Sequence, residues 1–249
     1  MTDPQPTPGL YGAPETAPAT APAPTLMEQV LGIYTEPVQL FRRLQAAPVW
    51  LGATVVSFVV GLVMTVIWAM KVDVDALVRP ILESNPQLSA DQVDKMISFQ
   101  AKIILPGSIF SVVVGVALWL LLGGLIYWAI GKGTAEAQPP TFRQAVSVAA
   151  VSGLALVPRN LLVTVMCFLK PVAGLGPEKI PPSSLGYFLA VESPKLHSLL
   201  YRLDLFTLFS LVLLYLGARH ALRLKTAGAA ACAGATGFLM IILPALFGR

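Results

Sequence analysis

Residues 145–169, AVSVAAVSGLALVPRNLLVTVMCFL, carry no charge up to Arg159 and run apolar again beyond Asn160. Such a run, rising about 1.5 Å per residue, covers roughly 37 Å and can cross a hydrocarbon core of about 30 Å as a helix. Pro158 removes an amide from its middle and frees the carbonyl one turn back, which Arg159 or Asn160 is placed to satisfy. An arginine inside the core costs at least about 2.5 to 3.5 kcal/mol unless it faces a partner helix or a wet cavity. Arg159 therefore needs a reason: a structural pin inside a bundle, or a contact to an ion or ligand.

The rest of the chain fits the same solvent. Of 249 residues, 55% are hydrophobic and 12% charged, with a mean hydropathy of +0.73, whereas soluble domains carry about a quarter charged residues. This predicts an all-α, multi-pass membrane protein. The 17 Lys and Arg against 13 Asp and Glu are spread over every loop without a basic block, so they read as bilayer-flanking charges and not as a nucleic-acid surface. Cys167 and Cys232 sit singly in apolar runs with no metal-type spacing to His197 or His220. They read as packing residues, and neither metal nor cofactor is expected. The N-terminus is acidic and proline-rich, without the basic region and short apolar core of a cleavable signal.

Three segments follow from the pattern. Residues 1–24, rich in Pro, Ala and Thr, are expected to be a disordered tail. Residues 25–47 read as amphipathic interfacial helices, clearest over 36–46. There Thr35 can cap, Pro37 fits the first turn, and Leu40, Phe41 and Leu44 share a face opposite Gln39, Arg42 and Arg43. Phe41 and Leu44 are expected either among acyl chains, with Arg42 and Arg43 at the headgroups, or packed on the protein's own bundle.

Residues 48–249 hold five expected spans, at about 49–70, 103–130, 145–169, 199–222 and 226–248. Trp50 and Trp68 flank the first, and Tyr127 and Trp128 end the second, as interfacial aromatics do. Ser89 and Gln92 have capping-box spacing ahead of an approach helix, and Pro106 marks or kinks the second span's start. Small-residue stripes (Ala53, Ser57, Gly61; Gly107, Ser111, Gly115; Ala145, Ala149, Gly153; Ala229, Ala233, Gly237) predict close helix packing. Asp204 precedes an uncharged run, 205–218, too short to cross alone, so residues 199–222 are taken for the fourth span. Counted from the membrane surface, Arg159 and Asp204 lie roughly 10 and 7 Å deep on the same side, within an arginine's reach. The expectation is that they pair and lock the third span to the fourth. The competing reading has Asp204 at the helix N-terminus, satisfied there, and Arg159 bonded to carbonyls near Pro158.

The order of features resembles bacterial members of the Ypt-interacting-protein (Yip) family. Glu36 and Pro37 precede Phe41, Arg42, Arg43 and Leu44; Pro48, Val49 and Trp50 open the first span. Thr141, Phe142 and Arg143 open the third, with its mid-span proline, and Leu203, Asp204, Leu205 and Phe206 lead into the fourth. The resemblance covers about residues 28 to 245 and implies five membrane helices with a cytoplasmic N-terminus. Eukaryotic members resembling it bind Rab-type GTPases. Their Asp-Leu-Tyr-Gly-Pro signature is absent here, so a Rab-type partner is not expected and a bacterial plasma membrane is.

No catalytic set emerges. An intramembrane protease needs a nucleophile and base together within the spans, and no phosphate-cradling Gly loop is present. The expectation is a non-enzymatic protein that organises membrane or partner proteins, or self-associates through its small-residue faces. The alternative, a small-solute transporter or channel subunit, should show paired broken helices. Basic residues are denser in the two short turns, 131–140 and 219–225, which places those turns and the N-terminus inside.

Overall fold

The computed structural model describes residues 22–189, 191 and 193–247; the expected tail, apart from residues 22–24, lies outside them. Thr25 starts helix α1 (Leu26–Thr35) with a reciprocal cap: its hydroxyl accepts the Glu28 amide, and the Glu28 carboxylate accepts the Thr25 amide. Pro37 opens α2 (Pro37–Ala46), with Glu36 and not Thr35 at the cap position. Then come α3 (Leu51–Lys71), α4 (Val74–Glu83) and α5 (Ala90–Thr134). The third span has two halves, α6 (Phe142–Gly153) and α7 (Val157–Leu169), joined by a tighter turn, Leu154–Leu156. Helices α8 (Leu185–Phe188), α9 (Pro194–Arg202), α10 (Leu205–His220), α11 (Thr226–Gly237) and α12 (Leu243–Phe247) complete the described chain, with a wide turn, Phe238–Ile242, between the last two.

Four segments are long and apolar enough to cross a membrane: Leu51–Lys71, Ala90–Thr134, Phe142–Leu169 and Thr226–Leu246. Helix α10 is the fifth apolar helix but has only 16 residues, about 24 Å. The fourth span is therefore shorter than the expected 199–222, because the chain breaks at Leu203 and Asp204. Conversely, the approach helix and second span are one helix. Ser89 and Gln92 form the expected capping box, and α5 continues through Pro106 for 45 residues, about 67 Å.

The third span is the centre of the bundle. In its most apolar stretch 44% of residues are buried, against 11% in α5. Every residue from Ala145 to Ser152 is buried, between α5, α10 and the N-terminal helices. The small faces met different fates. Ala53, Ala145 and Ala149 are fully buried, but Gly107, Ser111 and Gly115 are exposed, and a Cβ on either glycine would meet nothing within 4 Å. Helix α5 packs instead through Gly123, Gly124, Tyr127 and Gly131. Tyr127 is thus no interfacial aromatic: it is buried and shares a 2.6 Å hydrogen bond with Thr236 of α11. On α11 the buried face is Gly228, Ala229, Cys232 and Thr236, one step round from the expected stripe.

The N-terminal helices pack on the bundle and do not lie in the interface. Gln144 Nε2 donates to the Gln45 carbonyl at 2.8 Å, and the Tyr34 hydroxyl to the Leu154 carbonyl at 2.6 Å. Ten residues of the third span separate those contacts, about 15 Å, so α1 and α2 form a hairpin leaning along the bundle. Phe41 and Leu44 are 0% and 1% exposed and belong to the bundle's core, not to acyl chains. Gly217 of α10 makes this possible: a Cβ there would stand 2.6 Å from Val148 Cγ1 and 2.9 Å from Phe41 Cε1.

Candidate functional site

Pro158 is the second residue of α7 and cannot donate to the Leu154 carbonyl, which accepts the Val157 amide of the tighter turn. Neither Arg159 nor Asn160 adds a side-chain donor to it. Tyr34 does, and its ring stacks on Phe209 of α10 with centroids 6.0 Å apart. The end of α1 is thereby tied to the break in the third span.

Arg159, one residue on, approaches α10 at Asp204. The Asp204 carboxylate is 1% exposed and already engaged. Its Oδ1 accepts the amides of Phe206 (2.9 Å) and Thr207 (3.2 Å), and its Oδ2 accepts the Ser183 hydroxyl. These bonds make Asp204 the cap of α10, which is why helix begins at Leu205 and does not continue from α9. The segment carrying Ser183 is held beside it by backbone bonds from Leu185 to Leu203 and from Leu205 to Ser183, both 3.1 Å.

Arg159 Nε stands 3.8 Å from Asp204 Oδ1, with the arginine side chain 18% exposed. That is charge contact without a hydrogen bond, and among the described residues the buried Nε has no hydrogen-bond partner. Both expected roles of Asp204, cap and counter-charge, are present at once. Arg159 lies about 25 Å from Phe142 and about 15 Å from Leu169, and Asp204 about 24 Å from His220, so both stand in the loop-side half of the bundle.

Asn160 points elsewhere. With Ser57, Gly61, Thr65, Val112 and Trp119 it lines a mostly apolar cavity of about 350 Å³ between α3, α5 and the third span. Phe41, Arg42, Arg43 and Leu44 are at the opposite, hairpin end. Arg42 is exposed. Arg43 bonds Glu28 across the hairpin at 2.8 and 3.1 Å. The Arg43 guanidinium, and then the Thr25 amide and hydroxyl, hold the Glu28 carboxyl down to about 2, while Glu28 raises Arg43. Between the helices lies a cleft of about 290 Å³ lined by Glu28, Thr35, Glu36, Gln39, Leu40 and Arg43 among others.

Sequence reasoning missed Tyr34, Ser183, Ser184 and Arg202. Only Tyr34 left a usable signal, since a carbonyl freed by Pro158 requires a donor from somewhere. Ser183 and Ser184 meet Asp204 through a fold-back that no local pattern announces.

A bundle of apolar helices, broken at Leu154–Leu156 and again before Leu205, with a buried charge contact between the breaks, defines a polytopic integral membrane protein. The chain belongs to the Yip1 domain family, which it matches over residues 31–247. No curated protein and no solved structure matches it.

Proposed function

We propose that this chain is a non-enzymatic organiser of membrane or partner proteins in a bacterial plasma membrane, and that the α1–α2 hairpin is its cytoplasmic docking element. The observation behind this reading is the division of labour within the hairpin. Ile33, Leu40, Phe41 and Leu44 hold it to the bundle, while the exposed Met27 and Leu31 line an outward cleft together with Glu28, Glu36, Gln39 and Arg43. Such an apolar cleft with a charged rim suits a protein segment. A photoreactive residue in place of Gln39, irradiated in native membranes, should give one discrete protein adduct; adducts to lipid alone would end this reading. The unopposed Gly107, Ser111 and Gly115 of α5 favour self-association as a second route, since a helix can approach them closely.

Orientation follows from the two short basic turns. A reporter fused after Lys225 should read cytoplasmic and one after Arg249 should not. The reverse pattern overturns the assignment.

A further inference from the structure

We propose that Arg159, Arg202 and Ser184 form a binding site for a phosphate group, supplied by an anionic membrane lipid. Hydrogen bonding is unbalanced around Asp204. Its two oxygens serve the Phe206 and Thr207 amides and the Ser183 hydroxyl, so Arg159 obtains charge contact but no bond. Glu178, half-buried in the loop, and Arg202 lie within electrostatic reach of Arg159. Formal charges therefore cancel as two against two, whereas donors and acceptors do not. Among the described residues, Arg159 Nε, Arg202 Nε and the hydroxyl of Ser184 are all buried without a partner. Ser184 is only 1% exposed and stands directly opposite Asp204 in the backbone pairing.

Three unsatisfied donors beside a saturated carboxylate call for a ligand with several acceptor oxygens. A tetrahedral phosphate offers them, and the guanidinium fork fits two of its oxygens at once, which a lysine could not do. Depth favours a lipid as its source. The site lies in the loop-side half of the bundle, and an arginine stem carries its charged head toward headgroup phosphates. This site is at the loop end and does not depend on the docking role given to the hairpin.

The test uses the full chain in phosphatidylcholine nanodiscs, with or without phosphatidylglycerol, reading retained lipid by native mass spectrometry and stability by thermal unfolding. Phosphatidylglycerol should be retained selectively and raise the unfolding temperature. Arg202→Gln should weaken its retention about tenfold or more, as loss of a charge-assisted hydrogen bond does; Arg202→Lys should recover part. Lys95→Gln, on the 75% exposed side chain of outer α5, should change nothing. If Arg202→Gln does not fold, Ser184→Ala decides, with a smaller loss expected. Inorganic phosphate added to phosphatidylcholine nanodiscs separates the sources. Stabilisation by phosphate alone, lost in Arg202→Gln, keeps the site and its chemistry but makes the ligand soluble. The proposal is overturned if neither anion stabilises the parent, if parent and site variants retain phosphatidylglycerol equally, or if Lys95→Gln loses as much as Arg202→Gln.

Discussion

The two halves of the third span are held to different neighbours and in different ways. In α6 every residue from Ala145 to Ser152 is buried, and small side chains let α2, α5 and α10 close around it. In α7 only Val163, Met166 and Cys167 are buried, while Leu161, Val165, Phe168 and Leu169 are at least half exposed. Its tie to α10 is the Arg159–Asp204 contact. Within lipid, apolar surface gains little by leaving the acyl chains for a neighbouring helix, so association rests on close packing or on polar satisfaction. The first half rests chiefly on close packing, the second adds the charge contact to the packing of Val163, Met166 and Cys167 against Trp68 and Ala69 of α3, and the 3₁₀ turn with its Tyr34 bond separates them.

The largest effect should come from Asp204→Ala. Removing one member of a buried charge contact, together with the cap of α10, should cost about 3 to 5 kcal/mol, read by thermal unfolding in detergent. Asp204→Asn retains a capping oxygen and should recover about 0.5 to 2 kcal/mol of that loss. If Asn equals Ala, the cap contributes nothing and only charge matters. Next is Gly217→Val, which forces Val148 and Phe41 apart. It should cost about 1 to 3 kcal/mol and make a cysteine placed at Leu44 reactive while α7 stays protected. Matching exposure at both ends would mean that the halves are not separately held.

Tyr34→Phe should cost about 0.5 to 1.5 kcal/mol, the net worth of one hydrogen bond, since the Leu154 carbonyl keeps the Val157 amide. Hydrogen exchange should then rise around the break and not at Asp204. The smallest effect is that of pH on the hairpin. Glu28 titrates lower folded than unfolded, so its bond to Arg43 contributes fully above about 4.5 and loses that contribution as pH falls toward about 2. Both groups are exposed, so salt should screen the effect. A probe of hairpin opening should show this loss in the parent and not in Arg43→Gln.

Much of this was legible before any coordinates. Long uncharged runs can form only membrane helices, and Ser89 with Gln92, or Thr141 with Gln144, announce helix starts by chemistry local to four residues. Phe41 and Leu44 were correctly placed on one face. What that face meets was not legible, because an amphipathic stripe looks the same against lipid as against a groove opened by Gly217, far along the chain. The fourth span misled for a related reason. Leu199 and Leu200 are apolar enough to extend it, yet Asp204 bonds the amides that would begin a helix, and that competition is decided by Ser183 and the folded-back loop. At the candidate site, charge and depth brought Arg159 to Asp204. The partners that already occupy Asp204 had no pattern to reveal them.

Helix α5 is longer than a bilayer is thick. Its 45 residues reach about 67 Å, against about 40 to 45 Å for core and headgroups together, so with its Thr134 end at the headgroups about 20 Å stands clear of the membrane on the loop side. Arg79 of α4 braces that part, bonding Asp75 at 2.7 Å and Asp94 of α5 at 2.9 Å. A flexible linker of the same contour would let its end wander with the square root of its length. A braced helix is a rigid post, and it sets a nearly constant height above the bilayer for whatever meets its tip near Asn85 and Gln87.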